Sequence, residues 1–215
     1  MARPLSDDKR TAILEAATEV VAVLGVAAPT AKIAKGAGVA EGTLFTYFAT
    51  KDVLLNQLYL RIKAGLRDAM MADYPSGKSL PYRCRHVWDR YIGWGSVHPL
   101  ERKAARQLAV SDRITDESRK VVGDLFSEFN ALMRECAAGG PLKDQPTAFT
   151  SSILSAIAET TMEFIAREPK RAKQYTAANA VSEAPALVLE SAEVAPSPVD
   201  IVRRHPGDAG DGFLE

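Results

Sequence analysis

Apolar residues recur at helical spacing through almost the whole chain to about residue 175, and nowhere do they alternate as a half-buried strand would. Ile13, Ala17, Val20, Val21 and Leu24 fall at i, i+4, i+7, i+8 and i+11, one apolar stripe on a helix. Ser6 is placed to cap that helix, Asp7 and Asp8 suit its first turn, and Gly25 suits its end. Thr30 is placed to cap a short second helix carrying Ile33, Ala34 and Ala37, and Gly38 permits a sharp turn at positive φ. A third short helix, about 41–48, turns Leu44 and Phe48 inward, and Thr50 is placed to cap a long fourth with Leu54, Leu58 and Ile62 on one face, running to about Tyr74. A breaker-rich linker, 75–81, precedes helices expected at 82–97, 99–110, 116–138 and 146–167. Pro99 and Pro146 suit first helical positions, and Gly139-Gly140-Pro141 separates the last two helices. An all-α fold follows, and 215 residues allow one or two domains.

Composition removes several function classes. No apolar run approaches the ~18 residues of a membrane span, and the first residues lack an apolar leader core, so no membrane partner and a cytoplasmic location are expected. Two cysteines, Cys84 and Cys136, cannot build a disulfide scaffold, and with three histidines no metal site is expected. Cys84 and His86 are two apart, on different faces of a helix. No nucleophile adjoins a base in sequence, so no catalytic residues, no cofactor and no enzymatic activity are expected. The net charge of zero conceals an asymmetry: residues 1–175 hold 25 Lys and Arg against 20 Asp and Glu, whereas 176–215 hold 2 against 7. A mildly basic body with an acidic tail is compatible with a nucleic-acid partner.

Residues 30–51 carry the most specific signal. Two short helices joined by a glycine turn form a helix-turn-helix pattern, in which the second helix offers its N-terminal residues to base edges in the major groove. Ile33-Ala34, Ala37-Gly38-Val39, Gly42-Thr43-Leu44-Phe45-Thr46-Tyr47-Phe48 and Lys51-Asp52-Val53-Leu54-Leu55 together resemble the signature of the tetracycline-repressor (TetR) family, over roughly residues 8–60. The resemblance implies an all-helical homodimer with a three-helix N-terminal DNA-binding domain and a larger ligand-binding and dimerisation domain. It implies a repressor that leaves its double-stranded operator, an inverted repeat, when a small molecule binds.

By the same resemblance Thr30 is a phosphate-contacting cap, with Lys32 nearby. Glu41, Gly42, Thr43, Phe45 and Thr46 form the start and exposed face of the recognition helix, and Tyr47 and Lys51 match phosphate-contacting positions. Phe45 departs from the more usual tyrosine and keeps only apolar contact, for example to a thymine methyl. The helix lacks Arg, Asn and Gln, which favours shape or apolar readout over bidentate base contacts.

In the second domain, Trp88, Tyr91 and Trp94 share about a third of one helix's circumference. Together with Phe126, Phe129, Met133 and Phe149 they are expected either to wall a pocket for an apolar or aromatic effector or simply to pack as core. The 146–167 helix, with Ser152, Ser155 and Ala156 beside apolar residues, is by resemblance part of the dimer interface. Past about residue 178 the family pattern of large apolar residues gives way to Pro185, Pro196, Pro198 and Pro206 with many acids. The expected division is 1–52 DNA-binding, 53–178 ligand-binding and dimerisation, and 179–215 a divergent, disordered tail. A second reading stays open, a helical ligand carrier or interaction protein with a vestigial DNA-binding head.

Overall fold

The structure is a computed structural model that describes residues 6–138 and 144–178. The acidic tail expected from residue 179 and the Gly139-Gly140-Pro141 break lie outside the described residues. Three helices make the head: α1 (Asp7–Leu24), α2 (Thr30–Gly36) and α3 (Glu41–Tyr47). Gly25 (φ 77°) ends α1 and Gly38 (φ 65°) turns the chain between α2 and α3, both in the left-handed region where a side chain is strained. The capping expectations divide. Thr50 does cap α4 (Lys51–Met71), its hydroxyl accepting from the Val53 N–H at 3.1 Å. Ser6 makes no side-chain cap, and Pro29 rather than Thr30 occupies the N-cap of α2.

The body contains α5 (Leu80–Val97), α6 (Pro99–Ala109), α7 (Asp116–Leu125), α8 (Ser127–Ala137), α9 (Thr147–Arg167) and, after a 3₁₀ turn at Pro169–Arg171, α10 (Ala172–Ala178). Pro99 opens α6 as expected, whereas Pro146 lies one position outside α9, at its N-cap. α4 stops at Met71, short of Tyr74, where Asp73 takes a positive φ of 53°. The single helix expected over 116–138 is two, parted at Phe126 (φ −94°, ψ 15°). The break has a packing reason: α7 lies on α4 while α8 lies on α5 and α9, and one straight rod would not follow both.

Two apolar clusters organise the molecule. The first joins Ile13, Ala17, Ile33, Leu44 and Phe48 of the head to Leu54, Leu58 and Ile62 of α4 and to Ala104 and Leu108 of α6. The second gathers Leu66 and Met70 of α4 with Val87, Trp88, Ile92, Leu132, Ala158 and Met162. Trp94 packs against both. α5 and α9 approach so closely that a Cβ added to Gly95 would lie 2.0 Å from Met162 Sδ.

One ion pair fastens α6 to α9 inside this packing. Arg102 Nη1 donates to Glu159 Oε2 at 2.6 Å, and Arg106 reaches the same oxygen at 3.3 Å. Arg102 and Glu159 are only 9% and 17% exposed, so deleting the carboxylate strands a desolvated guanidinium. Glu159→Ala is expected to cost roughly 3 kcal/mol of unfolding free energy, read from the shift in a urea denaturation midpoint; a loss below about 1 kcal/mol would show that water reaches Arg102 freely.

Candidate nucleic-acid interface and ligand cavity

α3 is held by its inward side chains and leaves its outer face free. Leu44 and Phe48 are buried in the head core, while Glu41, Gly42, Phe45 and Thr46 are exposed and Thr43 and Tyr47 are half-buried. Lys32 is exposed on α2, and Lys51, half-buried, opens α4 beside the end of α3. The fold therefore brings Thr30, Lys32, Glu41, Gly42, Thr43, Phe45, Thr46, Tyr47 and Lys51 into the head.

Hydrogen bonding qualifies three of these side chains. The Thr30 hydroxyl donates to Glu41 Oε1 at 2.5 Å, so the group expected to cap α2 and meet phosphate is engaged by a carboxylate from the start of α3. The Tyr47 hydroxyl accepts from the Ser6 N–H at 3.0 Å, tying α3 to the beginning of α1 and leaving its own proton to donate elsewhere. The Thr46 hydroxyl donates to the Gly42 carbonyl at 3.0 Å on its own helix.

Lys51 makes no ion pair among the described residues, because the neighbouring Asp52 is taken by Arg113 at 2.7 Å. Burial, and then the Arg113 charge, push the Lys51 amine below the usual lysine range, against the opposing pull of Asp52. Arg113 comes from the α6–α7 connection, a long-range contribution of positive charge that no local pattern in the sequence discloses.

The aromatic wall expected in the body is only partly assembled. Trp88, Tyr91, Phe129 and Met133 line a narrow apolar cavity with Met70, Val87, Leu132 and Leu154. Phe126 lies on an adjoining, more open cleft, in edge contact with Phe129 at 6.2 Å between ring centroids. Trp94 turns from the cavity and stacks on His98 at 5.1 Å. Phe149 lines neither space; it is 49% exposed on the outer side of α9. Trp94 lies about 120° around α5 from Trp88, bridges the two core clusters and lines a different cleft with Lys63, Arg102 and Glu159. The free cysteines Cys84 and Cys136 are buried on the same cavity wall.

Lys63 was not singled out by the residue pattern, yet it faces this region. It is half-buried on α4 at the edge of the adjoining cleft, with its ammonium 5.8 Å from the Tyr59 ring centroid. Burial lowers its amine below the usual lysine range. A signal existed: position 63 falls four residues after Tyr59 and three before Leu66, within the apolar stripe of α4.

Comparison with known proteins follows the same division. Residues 13–58 match the model of bacterial regulatory proteins of the tetR family. A solved structure of a protein assigned to the tetR family from Shewanella sp. PV-4 is 28% identical, with a TM-score of 0.70, over 85% of this chain and 97% of that one. A TetR family transcription regulator from Marinobacter aquaeolei VT8 is 22% identical, with a TM-score of 0.70, over 83% and 95% of the two chains. The transcriptional regulator FadR from Bacillus subtilis, solved in complex with stearoyl-CoA, shares the fold at 18% identity and a TM-score of 0.59, over 82% and 97%.

The Thr30–Glu41 bond yields a test. Glu41→Gln removes one negative charge from the exposed face of the head. Duplex affinity at fixed salt is expected to rise about 3- to 10-fold by fluorescence anisotropy, and a fall would show that the carboxylate itself contacts DNA favourably.

Proposed function

We propose that this chain, a TetR-family transcription regulator, is a homodimeric repressor that leaves an inverted-repeat operator when a small apolar or aromatic effector binds. The observation that carries the reading is the free outer face of α3 beside Lys51, which has no ion pair among the described residues, on a head whose core continues through α4 to the second cluster. Residues 1–52 serve as the DNA-binding unit and 53–178 as the effector and dimerisation unit. In this arrangement Thr43, Phe45 and Thr46 meet base edges and methyl groups in the major groove. Thr30, Lys32, Tyr47 and Lys51 meet phosphates, with the Thr30 hydroxyl exchanging its bond to Glu41 for a phosphate oxygen.

Dimerisation through α9 suits its outer face. Phe149 and Phe164 are 49% and 42% exposed there, and Ser152, Ala156 and Thr160 between them are small enough for close helix approach. Two-fold symmetry sets two copies of α3 against half-sites about 34–36 Å apart. α4 supplies the coupling, because one helix contributes Leu54 to Ile62 to the head core and Leu66 and Met70 to the second cluster, Met70 lining the cavity itself. An effector that binds one tilt of α4 better than another shifts the spacing of the heads by that difference in affinity.

A helical carrier with a vestigial head is the second reading, favoured by the carboxylate at the start of α3 and by the absence of Arg, Asn and Gln from that helix. Footprinting on DNA flanking the protein's own gene, with and without candidate effectors, separates the two. A repressor protects an inverted repeat and loses affinity steeply with salt as counterions are released, and a carrier does neither. Lys51→Ala is expected to weaken binding to all duplexes alike and to reduce the log–log salt slope by about 0.9. Thr46→Ala is expected to change sequence preference at near-constant slope, and unaltered binding in both variants would refute the assigned contacts.

A further inference from the structure

We infer that the effector is an amphiphile with an anionic head, its head in the cleft bearing Lys63, Arg119 and Arg134 and its apolar part in the cavity beside Trp88. The inference rests on the reading of that cavity as the effector site and narrows the ligand from apolar or aromatic to acidic and amphipathic. Cleft and cavity adjoin, since Met70, Tyr91, Phe129, Ser151 and Ser155 line both. Their chemistry differs sharply. The cavity wall is apolar but for two serines, a tyrosine hydroxyl, two thiols and the Trp88 indole. The more open cleft carries three cations and no carboxylate along its lining.

Each cation is available to a ligand in a different way. Lys63 makes no ion pair among the described residues, and the acid on its other side, Glu159, is already held by Arg102 and Arg106. A lysine in the apolar stripe of α4, half-buried and without a carboxylate, is a costly choice where leucine or methionine would pack, unless a ligand brings the counter-charge. Arg119 is fixed from behind, with Nη1 donating to the Ala109 carbonyl and Nη2 to the Ser111 carbonyl, both at 2.8 Å. Its charge is thereby held at the cleft without being neutralised. Arg134 and Asn130 stand four residues apart on one face of α8, and neither side chain has a partner among the described residues.

The cavity adds one polar requirement. Trp88 is buried, and its Nε1–H has no acceptor among the described residues. A ligand oxygen placed there would remove the penalty of an orphaned donor. A neutral aromatic effector would leave the three cations unmatched, and a cationic one would be repelled by them. Free carboxylates and acyl thioesters of a phosphate-bearing carrier share the required chemistry.

The test uses the full-length protein and its two tryptophans, Trp88 and Trp94, as the reporter. Dodecanoate, methyl dodecanoate, dodecanoyl-CoA and dodecyltrimethylammonium are titrated below their micellar concentrations. Expected is saturable binding of an anionic probe at least tenfold tighter than that of the methyl ester, with the cation weakest. Lys63→Met is expected to erase most of this advantage while leaving ester binding and the melting temperature nearly unchanged, and Lys63→Arg is expected to retain it. Tighter binding of dodecanoate assigns the free acid, and tighter binding of dodecanoyl-CoA assigns the thioester; either supports the inference. Equal binding of ester and acid, an advantage that survives in a Lys63→Met, Arg134→Ala double variant, or binding of none of the probes overturns it. DNA affinity measured on the same samples separates the two claims. Ester that releases DNA as readily as acid overturns the anionic head and leaves the regulator standing. Acid that binds without releasing DNA upholds the anion site and overturns its role as effector.

Discussion

The arrangement depends on α4 belonging to two cores at once. Its first half is packed by the head and by α6, its second half by α5 and the body, and the buried residues Leu54, Leu55, Leu58, Tyr59, Ile62, Leu66 and Met70 run along it without a gap. Close-packed interiors transmit displacement because a side chain cannot move without its neighbours. A change at Met70, on the cavity wall, is therefore mechanically connected to Leu54, which shares the head core with Leu44 and Phe48. Lys63 lies where the two cores meet, so a ligand that neutralises it acts at the join.

The surface proposed to face DNA is modest in charge. α3 carries one acid and no base, and the cations around it come from α2, from the start of α4 and, through Arg113, from the body. The Thr30–Glu41 bond satisfies both groups in the free protein. On the proposed reading, Thr30 must give up that bond to meet a phosphate, which leaves shape and methyl contacts to set the affinity.

The α6–α9 junction has the opposite character. Arg102, Arg106 and Glu159 form a small charged network within apolar packing, beside a helix crossing so tight that Gly95 has no room for a side chain. Such a pair adds little net stability compared with an apolar replacement, but removing one partner would leave a buried charge alone.

The all-helical class, the turn at Gly38, the inward direction of Leu44 and Phe48 and the cap at Thr50 were legible in residues 6–71, because each follows from spacing within a few turns of chain. Trp88, Tyr91, Phe129 and Met133 were legible as inward-facing, being large apolar residues on helical faces, but not whether they wall a pocket or simply pack as core. The sequence could not tell that Trp94 and Phe149 turn elsewhere, that the helix over 116–138 divides at Phe126, or that Thr30 meets Glu41. The place of Lys63 in the apolar stripe of α4 was legible, but not that it faces an open cleft without an acid. Periodicity determines which side of a helix is apolar; only the packing of several helices decides which neighbour that side meets, and whether a charge within it finds an acid or an open cleft.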